Sequence, residues 1–104
     1  MSEPVYKILR KSEWKAFQDE GVFLGSEADV RDGFIHLSKA DQLDRVIKKY
    51  FNNIVPLYIV KFKEKAFLKK LKWEKASNGD LYPHYYGFLS IQDVNGFEEK
   101  NSVN

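Results

Sequence analysis

Cysteine is absent from the chain, which excludes a disulfide framework, thiolate metal ligands and a thiol nucleophile, and suits a reducing compartment; cytoplasm is the expected location. No long hydrophobic run is present either. The longest apolar stretch, Ile54 to Val60, spans seven residues and contains Pro56, far short of the roughly 20 needed to cross a bilayer. The N-terminus reads Met-Ser-Glu-Pro-Val-Tyr-Lys, with charges from the third residue on; an export signal needs an apolar run there, so none is expected. Nor is there an excess of one charge. Lys and Arg number 17 against 15 Asp and Glu, giving a net charge of +2, too small to argue for a nucleic-acid partner. Walker-type phosphate loops, the dinucleotide glycine fingerprint, HExxH and GxSxG are all missing, which removes the common motif-borne chemistries.

Aromatic residues are plentiful: eight Phe, six Tyr and two Trp within a 43% hydrophobic composition. That is enough apolar surface for one core in a chain of 104 residues without metal or disulfide staples. A single domain over residues 1–97 is expected, with a patternless tail at 98–104 that frays.

Short strands are expected at Val5 to Leu9, Val22 to Leu24 and Phe34 to Ser38, a longer one at Val55 to Phe62, and a last one at Phe88 to Val94. A first helix should run from Glu13 to Glu20, capped by Ser12 and closed by Gly21. Gly25 to Arg31 reads as a polar loop and Asp32-Gly33 as a turn. Ser38-Lys39-Ala40-Asp41 fits a capping box for a second helix, whose apolar residues Leu43, Val46, Ile47, Tyr50 and Phe51 recur at helical spacing. Asp41 with Arg45 and Asp44 with Lys48 are spaced to pair on its outer face. Glu64 to Leu71 is a candidate third helix, and Asn78-Gly79-Asp80 a turn. Interleaved strands and helices make the class α+β.

Both histidines occupy positions that suggest chemistry. A strand's period of two places Phe34, His36 and Ser38 on one face and Ile35 and Leu37 on the other. The helix expected to begin at Ser38 would bring backbone N–H groups and a positive dipole end beside His36, a setting that suits phosphate. His84 follows the stiff Tyr82-Pro83 pair and shares a face with Tyr86; Tyr82, Tyr85 and Tyr86 offer flat surfaces for a planar ring. Glu74 beside Trp73 can act as acid or base, or orient a histidine. Two histidines without a third ligand at a defined spacing do not make a metal site. Each feature also has a purely structural reading: a hydrogen-bonded histidine in a polar gap, core tyrosines, a solvated glutamate.

Tyr6-Lys7-Ile8, Trp14, Asp32-Gly33-Phe34-Ile35-His36-Leu37-Ser38, Gln42, Trp73-Glu74 and Tyr82-Pro83-His84-Tyr85-Tyr86-Gly87 together resemble the domain of unknown function 952 family, in order, from about Val5 to Val94. The resemblance brings no established activity. It implies an ADP-ribosyltransferase-like fold, a curved pair of split sheets with two to three helices around a cleft that binds NAD in that superfamily. The transferase signature motifs are not evident; Gln92-Asp93 is the nearest approach.

The expectation is a cleft for NAD, ADP-ribose or another phosphate-bearing nucleotide, with His36, His84 and Glu74 as candidate catalytic residues and Ser38, Gln42, Tyr82 and Tyr86 as candidate ligand contacts. Group transfer or hydrolysis would follow from it, in a monomer with no resident metal. A non-catalytic RNA-binding module using the lysines between Lys61 and Lys75 is the main rival, and a partner-binding domain with a vestigial cleft the third reading.

Overall fold

A computed structural model describes residues 4–63 and 69–102. Its elements run β1 (Val5–Arg10), α1 (Lys11–Glu20), β2 (Val22–Phe23), α2 (Glu27–Asp32), β3 (Ile35–His36), a 3-10 turn (Ala40–Gln42), α3 (Leu43–Tyr50), β4 (Leu57–Phe62), β5 (Leu71–Lys75), β6 (Leu81–Tyr85), β7 (Leu89–Ser90), a second 3-10 turn (Ile91–Asp93) and β8 (Val94–Lys100). The strands form three small sheets, ordered β1-β4-β8, β2-β7 and β3-β6-β5, and every pairing is antiparallel. The class is α+β, as the sequence implies. No described helix is long and apolar enough to cross a membrane.

The core is assembled where alternation and helical spacing aim apolar side chains at one another. Val5 and Leu9 of β1, Val60 and Phe62 of β4, Trp14 and Phe17 of α1, and Ile35 and Leu37 around β3 pack into one buried cluster. Phe17 is the hub of the aromatic part, with Trp14 edge-on at 5.8 Å, Phe62 stacked at 6.2 Å and Phe23 at 5.9 Å between ring centroids. Trp14 and Phe17 sit one turn apart, so both face the sheet, and Gly21 closes the helix in the left-handed conformation at φ 79° with its N–H on the Phe17 carbonyl.

Several boundaries differ from the sequence reading. Helix α1 begins two residues early: Arg10 is its N-cap, and the Glu13 carboxylate accepts from the Arg10 N–H at 2.8 Å, so Ser12 lies inside the first turn. Residues read as a polar loop form α2 instead. Ser26 Oγ accepts from the Asp29 N–H and Asp29 Oδ2 from the Ser26 N–H, a reciprocal box that stabilises a six-residue helix, and Gly33 ends it at φ 86°. At the next helix the cap is Lys39, not Ser38, because Gln42 rather than Asp41 reaches back, its Oε1 accepting from the Lys39 N–H at 3.0 Å. Ser38 pairs with Tyr6 in an isolated bridge that ties β1 to the end of β3.

Arg45 leaves the expected Asp41 pairing for Asp80 in the β5–β6 turn, and Asp44 and Lys48 form no ion pair among the described residues. The expected last strand is interrupted, Leu89–Ser90 pairing with β2 before a 3-10 turn. The first residues of the expected fraying tail are a strand: Glu98, Glu99 and Lys100 pair with Ile59, Tyr58 and Leu57 of β4. The candidate helix from Glu64 falls mostly outside the described residues, and its last member, Leu71, opens β5.

Candidate functional site: a paired-histidine cleft

The β3-β6-β5 sheet builds the site through its register. His36 lies opposite His84, and His84 opposite Lys72; Tyr82 lies opposite Glu74. Directly opposed residues of an antiparallel pair share a face, so Phe34, His36, Tyr82, His84, Tyr86, Lys72 and Glu74 project from one side. The other side sends Ile35, Pro83 and Tyr85 into the core. The two imidazoles, 48 positions apart in sequence, have ring centroids 5.6 Å apart at an interplanar angle of 69°. Phe34 stacks on His84 at 4.0 Å and packs against His36 at 4.6 Å and Tyr86 at 5.4 Å. A planar apolar ring therefore buttresses both histidines.

Each imidazole is held at Nδ1 by a carboxylate. His84 Nδ1 lies 2.7 Å from Glu74 Oε1, and the same oxygen accepts the Tyr86 hydroxyl at 2.7 Å. These hydrogen bonds, Tyr86 first and then His84, favour the ionised form and hold the Glu74 carboxyl below its usual range, while the Tyr86 hydroxyl is pushed up by the same contact. An ionised carboxylate only accepts, so Nδ1 of His84 carries the hydrogen and Nε2 presents a lone pair when the ring is neutral. Among the described residues Nε2 has no protein partner.

His36 is bound more completely. Its Nδ1 is 2.6 Å from Asp29 Oδ1, its backbone N–H donates to the same oxygen at 3.0 Å, and its Nε2 lies 3.1 Å from Asp32 Oδ2. Asp29 is only 2% exposed, and its second oxygen is 2.9 Å from Lys7 Nζ, a lysine 6% exposed that also donates to the His36 carbonyl at 3.0 Å. Burial works against the Asp29 charge, but the His36 ring, the Lys7 ammonium and the His36 and Ser26 amides together outweigh it and hold this carboxyl well below the ordinary aspartate range.

A cavity of about 630 Å³ opens beside the pair, within the range that accommodates a small-molecule ligand. Its lining includes His36, His84, Ser38 and Tyr82, the cations Arg10 and Lys49, and the carboxylates Glu13, Glu27 and Asp32, with Phe51 beside them. Arg10 stacks its guanidinium on Phe51 at 5.1 Å and Lys49 sits 5.2 Å from the Tyr50 ring centroid. Neither cation forms an ion pair with a carboxylate among the described residues.

Of the residues singled out from sequence, the structure brings His36, His84, Glu74 and Tyr86 into one network and sets Ser38 and Tyr82 in the cavity wall. Gln42 stands apart: buried, it donates to the Leu81 carbonyl at 2.7 Å and accepts from Lys39, so both ends brace the start of α3 against β6. Sequence reasoning missed Lys7, Asp29 and Asp32 as partners of His36. The available signal was Ser26-Glu27-Ala28-Asp29, a capping-box spacing ending at Gly33. The basic run is divided, Lys61 on β4 and Lys72 and Lys75 on β5, in separate sheets. Among the described residues no group of three or more His, Cys, Asp or Glu is arranged to hold a metal ion.

Fold and site together define a small antiparallel α+β domain with a histidine pair clamped by carboxylates at a cleft. The chain belongs to the family described as "Protein of unknown function (DUF952)", whose model matches residues 8–97. It is similar to protein CC0527 from Caulobacter crescentus: to its crystal structure at 34% identity and a TM-score of 0.87, covering 92% of this chain and 84% of that one, and to its solution NMR structure at 35% identity and a TM-score of 0.81, covering 91% and 82%. No curated protein matches.

Proposed function

We propose that the cleft binds a phosphate-bearing nucleotide, NAD or ADP-ribose being the first candidates, and that His84, oriented by Glu74, moves a proton there. The observation that carries this reading is the half-committed His84 ring: Nδ1 is fixed on Glu74 while Nε2 is left without a protein partner in the wall of the cavity. That is how a general base is presented in an enzyme site. Arg10 and Lys49, which form no ion pair among the described residues, stand in the wall of the same cavity and suit a phosphate or pyrophosphate. Tyr82 and the Arg10-backed Phe51 offer flat surfaces for a base or nicotinamide ring. NAD and ADP-ribose are favoured over other nucleotides by the ADP-ribosyltransferase-like fold that the sequence resemblance implies.

Calorimetric titration tests the reading. ADP-ribose should bind the wild type saturably, and Arg10→Ala should weaken it about tenfold, the loss of a charge-assisted contact of roughly 1.5 kcal/mol. Equal affinity for wild type and variant would remove the cation from the site, and absence of binding to NAD, ADP-ribose and simple mononucleotides alike would remove the nucleotide.

A further inference from the structure

The two histidines share a face, an aromatic buttress and a carboxylate at Nδ1, yet their outer nitrogens differ. His84 Nε2 faces no protein group among the described residues, whereas His36 Nε2 faces Asp32 Oδ2 at 3.1 Å. With Asp29 hydrogen-bonded to one nitrogen and the Asp32 carboxylate 3.1 Å from the other, His36 faces negative charge at both ends, an arrangement that is attractive when both nitrogens carry hydrogen. His84 meets one acceptor, and its other nitrogen is free to accept. Like side chains placed in unlike surroundings are the mark of an acid and a base.

Building on the nucleotide reading of the cleft, we infer that His84 and His36 are the general base and general acid of a phosphoric-ester hydrolysis. His84 Nε2 takes a proton from water as the water oxygen bonds to phosphorus. The bond from phosphorus to the leaving oxygen breaks with its electron pair, and His36 gives that oxygen the proton from Nε2. His84 then loses its proton to solvent and His36 regains one, so one water is consumed and the protein is unchanged. Asp32, partly exposed at the end of α2, lies 3.1 Å from that nitrogen as an ion-pair partner, in the place the leaving oxygen takes when substrate binds.

Phosphorus is favoured over a sugar carbon by what the site holds. Cleavage of nicotinamide from ribose releases a neutral leaving group that needs no acid, and glycosyl transfer relies on a carboxylate at the sugar. Here Asp29 and Glu74 are both committed to imidazoles. An acid is required where the leaving group departs as an alkoxide, as from a phosphodiester. Lys7 and Asp29 act as positioning residues, fixing the His36 ring from the buried side.

Two deoxyadenosine phosphodiesters with the same 5′-nucleotidyl part separate the roles: the 5′-(4-nitrophenyl) ester, whose leaving group needs no proton, and the deoxyadenosine dinucleotide, whose leaving alkoxide does. Replacing His84 with Gln should lower kcat on both by about 100-fold or more. His36→Gln should lower kcat on the dinucleotide by a similar factor and on the nitrophenyl ester by less than about fivefold, with His36→Asn as a second variant should the first fail to fold. Equal losses on both esters for both variants, or the reverse assignment, would overturn the inference. If the wild type binds the dinucleotide, seen as saturable amide shifts, but cleaves neither ester, the inference falls and the nucleotide site stands. If it does not bind the dinucleotide, the inference falls, and the nucleotide reading falls with it only if NAD, ADP-ribose and simple mononucleotides also leave those signals unmoved.

Discussion

Lys7 occupies the core-facing row of β1 between Val5 and Leu9, a place where alternation calls for an apolar side chain. A lysine is retained there because Asp29 neutralises it within 2.9 Å and the His36 carbonyl takes another of its hydrogens. Breaking one half of a buried pair leaves an uncompensated charge. Lys7→Met or Asp29→Asn should each destabilise the fold by about 3–5 kcal/mol in urea denaturation, and Lys7→Met combined with Asp29→Leu by less than the sum. The Asp29 pKa is held below its ordinary 3.8 in the folded protein. Its contribution is therefore complete above that value and is lost as the pH falls below it, when the unfolded chain takes up the proton first. Melting temperatures measured from pH 6 downward should fall steeply below about pH 4, and less steeply in Asp29→Asn; parallel curves would show that Asp29 contributes nothing to acid sensitivity. Glu74, depressed by Tyr86 and His84, shifts in the same direction from a more exposed position, where solvent screens it.

Short α2 determines whether His36 is clamped, since both of its carboxylate partners lie on that helix. Six residues are too few to be stable on propensity alone, so its caps matter. Ser26→Ala removes the hydroxyl that accepts from the Asp29 N–H and should cost about 1 kcal/mol. Because Asp29 is a member of both the cap and the His36 clamp, the amide signals of residues 29–36 should shift with it. A stability loss with the His36 signals unmoved would mean the helix and the clamp are independent. This helix also marks where sequence reading stopped short. β-Branched and aromatic runs made β1 and β4 legible, and the apolar spacing of Trp14 and Phe17 made α1 legible. A six-residue helix has too few turns to show periodicity, and its single sign, the Ser26 to Asp29 spacing, resembles an ordinary polar loop. β5 was hidden for a related reason: Leu71–Lys75 carries a lysine on each face, Lys72 beside Glu74 and Lys75 beside Trp73, so no apolar alternation shows.

Across the whole molecule, long-range pairing decides what local pattern cannot. The face shared by His36 and Ser38, and that shared by His84 and Tyr86, were readable from a period of two, but their meeting depends on β3 docking on β6, a register set by the core contacts of Ile35 and Tyr85 on the opposite side. Likewise nothing local identifies residues 98–100 as a strand. Glu98, Glu99 and Lys100 are ordered by β4, whose unpaired edge would otherwise be exposed. Truncation after Phe97 should therefore lower the melting temperature by several degrees, on the scale of 1 kcal/mol shifting a domain of this size by about 4–8 °C; an unchanged melting temperature would show that the end of β8 adds nothing. The measurement that bears most directly on the paired-histidine cleft is a ¹⁵N-detected NMR titration of the wild type with ADP-ribose, NAD and a short RNA in parallel. The cleft predicts saturable shifts from ADP-ribose or NAD concentrated in residues 29–38 and 81–86 and at Arg10 and residues 49–51. Shifts produced by RNA alone at the lysines of β4 and β5, or no shift in those segments with any of the three, would contradict it.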